Sequence, residues 1–270
     1  MKVLLASDGF VTDDVLRTAM SAAAPEAQLA AIASTWPVPP YGDVLKMIAI
    51  CRGGPVNVNI EAASDHGVLV SYAPGRNAVA TAEHSVGMIL AAMRQIPQRN
   101  AELLAGQWRS DYYIFDNVGP EVGSSTVGVI GYGAVGRRVA HIMASFGGDV
   151  LVHDPWAADR SGEGVAFVDT LEELLRRSDI VTLHARATPD NHHMIDAEAL
   201  RRMKPTAYLV NTARADLVDE EALLDCLEAG RIMGAAIDTF DREPLPADSR
   251  WLTLRNVTIT SHLAGSTKDA

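Results

Sequence analysis

Cysteine is scarce in this chain. Two residues, Cys51 and Cys226, cannot build a disulfide framework, and each sits in an apolar pattern that reads as a buried free thiol. Long apolar runs are missing too: none approaches the ~20 residues that cross a bilayer. Met1 and Lys2 lead straight into a short strand rather than a signal peptide, so a cytoplasmic protein is the expectation. Basic charge is in short supply. Lys and Arg number 23 against 34 Asp and Glu, a formal net charge of −11, which argues against nonspecific binding to nucleic acid or anionic membrane. An anionic substrate must therefore be held by local cations against the overall field. No internal repeat or low-complexity tract is present.

What is present is ordinary globular material, 48% hydrophobic and 21% charged over 270 residues, enough for one or two domains and a sizeable core. The stretch that organises it is Val127–Gly136, VGVIGYGAVG. A short apolar run is followed by GxGxxG at Gly131, Gly133 and Gly136, and then by Val139, Ile142, Met143 and Phe146 at helical spacing, ended by Gly147 and Gly148. In a strand–turn–helix unit of this kind Gly131 makes the turn, Gly133 lets a pyrophosphate approach and Gly136 lets helix and strand pack closely. The helix N-terminus faces the phosphates. A second strand, Asp149–His153, ends at Asp154, 18 residues after Gly136, where such a unit places the carboxylate for the adenosine ribose.

The rest of the chain alternates in the same way. Strands are expected at Lys2–Ala6, Leu29–Thr35, Lys46–Cys51 and Val68–Ser71, with helices from Thr12 to about Ala23 and from Ile60 to Ser64, and a proline-rich loop at Trp36–Asp43. Long helical patterns run from Asn77 to Met93 and from Gln98 to Leu104. From Val127 onward six strands are expected, the others being Asp149–His153, Ile180–His184, Ala207–Asn211, Gly234–Asp238 and Val257–Thr260. Helices capped by Thr170, Asp196 and Asp219 fall between them. The expected fold is α/β: a Rossmann dinucleotide-binding domain over residues 78–263, and a smaller parallel-sheet domain over residues 1–77.

Open α/β sheets bind ligands beyond the carboxyl ends of their strands. The polar residues placed there are Arg214 in NTARA, Asp238 and Glu243 in IDTFDREP, and His262 in SHLAG. Arg can hold a carboxylate through two parallel hydrogen bonds. His can move a proton near neutral pH, and Glu can fix the imidazole tautomer and favour its protonated form.

Longer segments carry a resemblance. APGRNAVATAEHSVGMILA at Ala73–Ala91, GYGAVGRRVA at Gly131–Ala140, HDP at His153–Pro155 and DIVTLHARATPDN at Asp179–Asn191 are four of them. MKPTAYLVNTARADLVDEEAL at Met203–Leu223, AAIDTFDREPL at Ala235–Leu245 and SHLAGST at Ser261–Thr267 complete the set. In this order they resemble the D-isomer-specific 2-hydroxyacid dehydrogenases, the family of D-3-phosphoglycerate dehydrogenase and the glyoxylate/hydroxypyruvate reductases.

The resemblance implies an NAD-dependent enzyme that moves a hydride between nicotinamide and C2 of a small anionic D-2-hydroxy acid or 2-keto acid, without a metal and as a homodimer. It implies catalytic roles for Arg214 on the substrate carboxylate, His262 as acid/base and Glu243 as the partner of that histidine. For the cofactor it implies Gly131, Gly133, Ala134, Val135, Gly136, Asp154 and Pro155. His184 and Thr188 fall on the adenine side, and Thr212, Ala213 and Asp238 at the nicotinamide. Substrate contacts are implied at Arg52, Gly53, Gly54 and Asn77. The resemblance also implies that the smaller domain is flavodoxin-like, that it is shortened here, and that residues 264–270 return to it. A formate dehydrogenase is disfavoured, since that branch carries Gln where Glu243 stands. The alternative is a dinucleotide-sensing, corepressor-like binding protein on the same fold.

Overall fold

A computed structural model describes residues 2–6, 28–32, 45–50, 53–54, 58–114 and 118–270. The chain divides into two compact units, Met1–Asn77 and Ala78–Ala270.

In the first unit, strands β1 (Lys2–Ala6), β2 (Gln28–Ile32), β3 (Leu45–Ile50) and β4 (Leu69–Tyr72) form one parallel sheet in the order β2-β1-β3-β4. Parallel neighbours require crossovers, and the Ile60–Asp65 helix makes the one from β3 to β4. That helix starts where Asn59 Oδ1 accepts from the Ala62 N–H at 2.9 Å. Ile48, Ile50, Ala63 and Val68 form its core. The helix expected from Thr12, the Trp36–Asp43 loop, Cys51 and Arg52 lie outside the described residues.

The second unit is a seven-stranded parallel sheet. Its strands are β5 (Thr126–Ile130), β6 (Asp149–His153), β7 (Val165–Phe167), β8 (Ile180–Leu183), β9 (Tyr208–Asn211), β10 (Gly234–Ile237) and β11 (Val257–Ile259). Their order is β11-β10-β9-β8-β5-β6-β7. From β5 the chain runs outward to one side through β6 and β7, then returns to fill the other side from β8 to β11. The direction reverses between β5 and β8, which is where open sheets of this kind bind ligands.

The central strands are buried on both faces, so they are near-continuous apolar runs rather than alternating ones. Leu209 faces a layer with Leu174, Leu200, Leu223 and Trp251. Its neighbours Tyr208 and Val210 face the opposite layer with Ile89, Met93, Val139 and Met143. Full burial of one such side chain is worth about 1.5–3 kcal/mol.

Helices begin at side-chain caps: Thr170, Asp196 and Asp219 accept from the N–H groups of Glu173, Ala199 and Ala222 at 3.2, 2.8 and 3.0 Å. The Ala134–Ser145 helix is followed by Gly147 at φ 92°.

Three details differ from expectation. The sheet has a seventh strand, β7, only three residues long and at the edge beside β6. Such a piece is too short for periodicity to reveal. The helix expected from Gln98 begins at Ile96 and takes Pro97 into its first turn, where a missing N–H costs nothing. Residues 264–270 fall in the second unit, where Ala264 is buried and its N–H donates to Asp238 Oδ2 at 2.9 Å.

Candidate active site

Because every strand of the second unit runs parallel, all its carboxyl ends open on one edge. The residues of this unit expected to carry function sit along that edge, in two groups.

The first group follows β5, β6 and β8. Gly131 turns at φ 92°, with its N–H on His153 O at 3.0 Å. A Cβ on Gly136 would collide with Gly131 O, so strand and helix meet at a contact only glycine allows. Gly133 is the N-cap of the Ala134–Ser145 helix and offers no side-chain cap, and no atom lies within 4 Å of where its Cβ would stand. The helix thus begins with no side-chain cap on its first-turn N–H groups and with open space beside Gly133, at its positive end.

Asp154 is pinned by two backbone donors, Tyr132 N to Oδ2 at 2.7 Å and Trp156 N to Oδ1 at 2.9 Å. It is only partly buried, and carboxylate lone pairs remain for hydroxyls. These features fit a dinucleotide: an uncapped helix end for phosphates and a fixed carboxylate for the ribose. Ala134 and Val135 are the helix's first residues, and Pro155 follows the acid in its turn. His184 Nε2 pairs with Thr182 Oγ1 at 3.0 Å, and burial pushes its pKa down to about 3, so the ring is neutral. Thr188 caps the turn Pro189–Asn191 and its N–H donates to Asn191 Oδ1 at 2.7 Å.

The second group follows β9, β10 and β11. His262 Nδ1 is 2.8 Å from Glu243 Oε2, and both side chains reach the surface, at 45% and 37% exposure. The other Glu243 oxygen accepts from the Phe240 N–H at 3.0 Å, which holds the carboxylate in place.

His262 itself adopts φ 52°. That left-handed turn is stapled by Asp238, which takes the Leu263 and Ala264 N–H groups at 3.0 and 2.9 Å and the Thr260 hydroxyl at 2.5 Å. His84 Nε2 adds a contact 3.6 Å away. Asp238 is wholly buried. Burial alone would raise its pKa, but the hydrogen bonds from His84, Thr260, Leu263 and Ala264 outweigh that and hold it below the ordinary carboxylate value.

Arg214 is exposed at the end of the β9 turn, with Nη1 donating to Ala213 O at 2.6 Å. Thr212 is buried and its hydroxyl meets Ser85 Oγ at 2.6 Å.

In the first unit, Asn77 Oδ1 lies 3.5 Å from where a Cβ on Gly53 would stand, so two of the expected substrate residues are neighbours. Gly54 follows Gly53 in the same bend.

Three organising residues escaped the sequence reading. Asn211, almost wholly buried, donates to Arg214 O at 2.8 Å and accepts from Ala213 N at 3.0 Å, and so shapes the arginine turn. Thr260 and His84 support Asp238. The available signal was a polar residue closing an apolar strand, visible in Asn211 and Thr260. His84 gives no such signal, since it sits 176 positions from Thr260.

Comparison with known proteins adds independent support. Residues 86–264 match the model of the D-isomer specific 2-hydroxyacid dehydrogenase, NAD binding domain. D-3-phosphoglycerate dehydrogenase of Methanocaldococcus jannaschii is 40% identical over 228 residues, which cover 84% of this chain and 43% of that protein. Glyoxylate reductase of Thermofilum pendens is 38% identical over 229 residues, 84% of this chain and 67% of that one. The chain therefore spans under half the length of the phosphoglycerate dehydrogenases it matches.

Among solved structures, D-2-hydroxyisocaproate dehydrogenase superimposes with a TM-score of 0.83 at 25% identity, covering 100% of this chain and 92% of that one. D-lactate dehydrogenase of Aquifex aeolicus complexed with NAD and lactic acid gives 0.81 at 26%, with 99% and 90% covered. The chain belongs to the D-isomer specific 2-hydroxyacid dehydrogenase family, and its residues 86–264 are that family's NAD binding domain.

Proposed function

We propose that this protein is an NAD-dependent oxidoreductase that interconverts a small D-2-hydroxy acid and its 2-keto acid. The observation that carries the reading is the His262–Glu243 pair, 2.8 Å apart on the sheet edge that also holds the dinucleotide cradle. NAD, when bound, supplies the site that accepts or returns the hydride. Neutral His262 takes the hydroxyl proton during oxidation, and protonated His262 returns it during reduction. Glu243, on Nδ1, fixes the orientation of the ring and leaves Nε2 to face the substrate. Arg214 spends one donor on Ala213 O and directs the others at the substrate carboxylate and carbonyl oxygen.

Asp238 holds the His262 turn from beneath, beside Thr212 and Ala213 on the nicotinamide side. His184 and Thr188 flank the adenine side. The unit up to Asn77 is the substrate domain, with Arg52, Gly53, Gly54 and Asn77 as its substrate-binding residues. Asp154 sets a preference for NAD over NADP, since a 2′-phosphate would bring negative charge against it.

The protein acts in the cytoplasm as a homodimer, and the surface offers a face for the second copy. The stretch 96–108 leaves Ile96, Leu103, Leu104 and Trp108 exposed, the last two at 81% and 78%, a concentration of apolar side chains suited to a second copy. The test is NADH oxidation with glyoxylate, hydroxypyruvate and larger 2-keto acids. Turnover of one or more supports the enzyme. NADH binding with no turnover of any would favour the dinucleotide-sensing alternative.

A further inference from the structure

The ribose-binding acid Asp154 is followed by Pro155, Trp156, Ala157 and Ala158, and Arg160 is the nearest cation along the chain. In space a second cation joins it. Arg137 lies in the first turns of the helix after the glycine loop, and its guanidinium sits 4.9 Å above the Tyr132 ring. Tyr132 is the residue whose N–H holds Asp154 Oδ2 at 2.7 Å. The Phe167 ring under Arg160 meets Tyr132 edge-on at 5.0 Å, so two arginines stand on one aromatic pair whose tyrosine holds Asp154, in a protein read as preferring NAD.

Both arginines are engaged. Arg160 lies 5.6 Å over the Phe167 ring and 3.7 Å from Asp169. Arg137 is bound more firmly: Nη1 donates to Asp159 Oδ2 at 2.8 Å. Asp159 is itself well fixed, because its Oδ1 accepts from Ser161 N at 2.9 Å and Ser161 Oγ at 2.6 Å. Ser161 O in turn accepts from the Tyr132 hydroxyl at 3.2 Å. A Cβ on the next residue, Gly162, would fall 2.5 Å from that hydroxyl oxygen, so the loop is seated directly on Tyr132. The Ser161 hydrogen bonds and Arg137 hold the Asp159 carboxyl down to about 2, so it is ionised at any working pH.

We propose that Asp159 is a specificity-determining residue: it binds Arg137 across the loop after β6 and so withholds that cation from the 2′-phosphate of NADP. This rests on the NAD preference proposed above and extends it. Asp154 repels the phosphate, and Asp159 removes the nearby charge that would otherwise attract it. A free guanidinium would make charge-assisted, bidentate bonds to a phosphate.

The test measures dissociation constants of NADH and NADPH by titration calorimetry for the unmodified protein, Asp159→Asn, Arg137→Ala and the double variant. Asn keeps the size and most hydrogen bonds of Asp but not its charge. Because the pair is half exposed, the expected gain is moderate: Asp159→Asn binds NADPH about fivefold more tightly, with NADH within about twofold. The gain should shrink as salt is added and vanish in Arg137→Ala/Asp159→Asn. An NADPH-to-NADH ratio unchanged in Asp159→Asn, or a gain that survives loss of Arg137, overturns the proposal. An unmodified protein that prefers NADH while Asp159→Asn keeps its ratio sinks this inference alone. An unmodified protein that binds both cofactors equally sinks the NAD preference and the inference together.

Discussion

The two groups along the carboxyl edge are made of different material. Around β5 and β6 the cradle is backbone: a glycine turn, an uncapped helix end, and a carboxylate pinned by two N–H groups. Around β9, β10 and β11 the site is side chains: His262 on Glu243, Arg214 presented by Asn211, and Asp238 gathering Thr260 and two N–H groups. A pyrophosphate offers the same oxygens whatever the enzyme does, so fixed backbone donors suffice for it. Moving a proton and orienting a carboxylate need groups that titrate or fork, which only side chains supply. The first group should therefore fail when an atom is added, and the second when one is removed.

The largest effect is expected from deletion in the second group. Arg214→Ala should lower kcat/KM about a thousandfold, near 4 kcal/mol of transition-state stabilisation, with Tm nearly unchanged because the side chain is exposed. Steady-state kinetics beside a thermal melt decide it. A folded variant with near-normal kcat/KM would remove Arg214 from the chemistry.

Next comes Glu243→Gln, which keeps a hydrogen-bonding group at His262 but loses the charge. Turnover should drop about a hundredfold while the NADH dissociation constant stays close to that of the unmodified protein. Equal losses in both would make Glu243 a fold residue rather than a partner of the histidine.

The comparison is tested from the other side by Gly136→Ala. One added methyl collides with Gly131 O, and the glycine loop and helix must part, at a cost of about 2–4 kcal/mol. Urea unfolding should show that loss, and NADH binding should weaken. A variant with unchanged stability would show that the strand–helix contact yields more easily than close packing implies.

The smallest effects concern pH and separate the groups by stability. His184 is held neutral in the fold at about 3, below its ordinary 6.5. The unfolded chain therefore takes up the proton first, and stability falls as pH drops from 6.5 toward 3. Asp238 is depressed below its ordinary 3.8, so its contribution is complete above that value and is lost as pH falls through the lower folded one. His184→Gln should flatten the decline above pH 4, by about 1–2 kcal/mol, and Asp238→Asn the decline below it. Chemical unfolding across that range measures both. Unchanged slopes in either variant would assign the acid sensitivity elsewhere.

How much could be read in advance follows the same division. The glycine loop, the apolar strands and the caps Thr170, Asp196 and Asp219 were legible because each depends on residues within a few positions. Glu243 and His262 were singled out as strand-end residues, and the family resemblance supplied their pairing. The sheet order, the three-residue strand β7, the stapling of the His262 turn by Asp238, and the reach of His84 and Ser85 to Thr260 and Thr212 could not be read.

By itself, then, the sequence determined the βα alternation, the dinucleotide loop and the identity of the polar residues at the strand ends. Those are matters of backbone permission, periodicity and side-chain chemistry. Only the tertiary structure decided which of those residues meet, because parallel pairing brings the ends of β9, β10 and β11 to one edge whatever their separation along the chain. It likewise decided that Asp159 closes on Arg137, two half-exposed residues with no signature of their own.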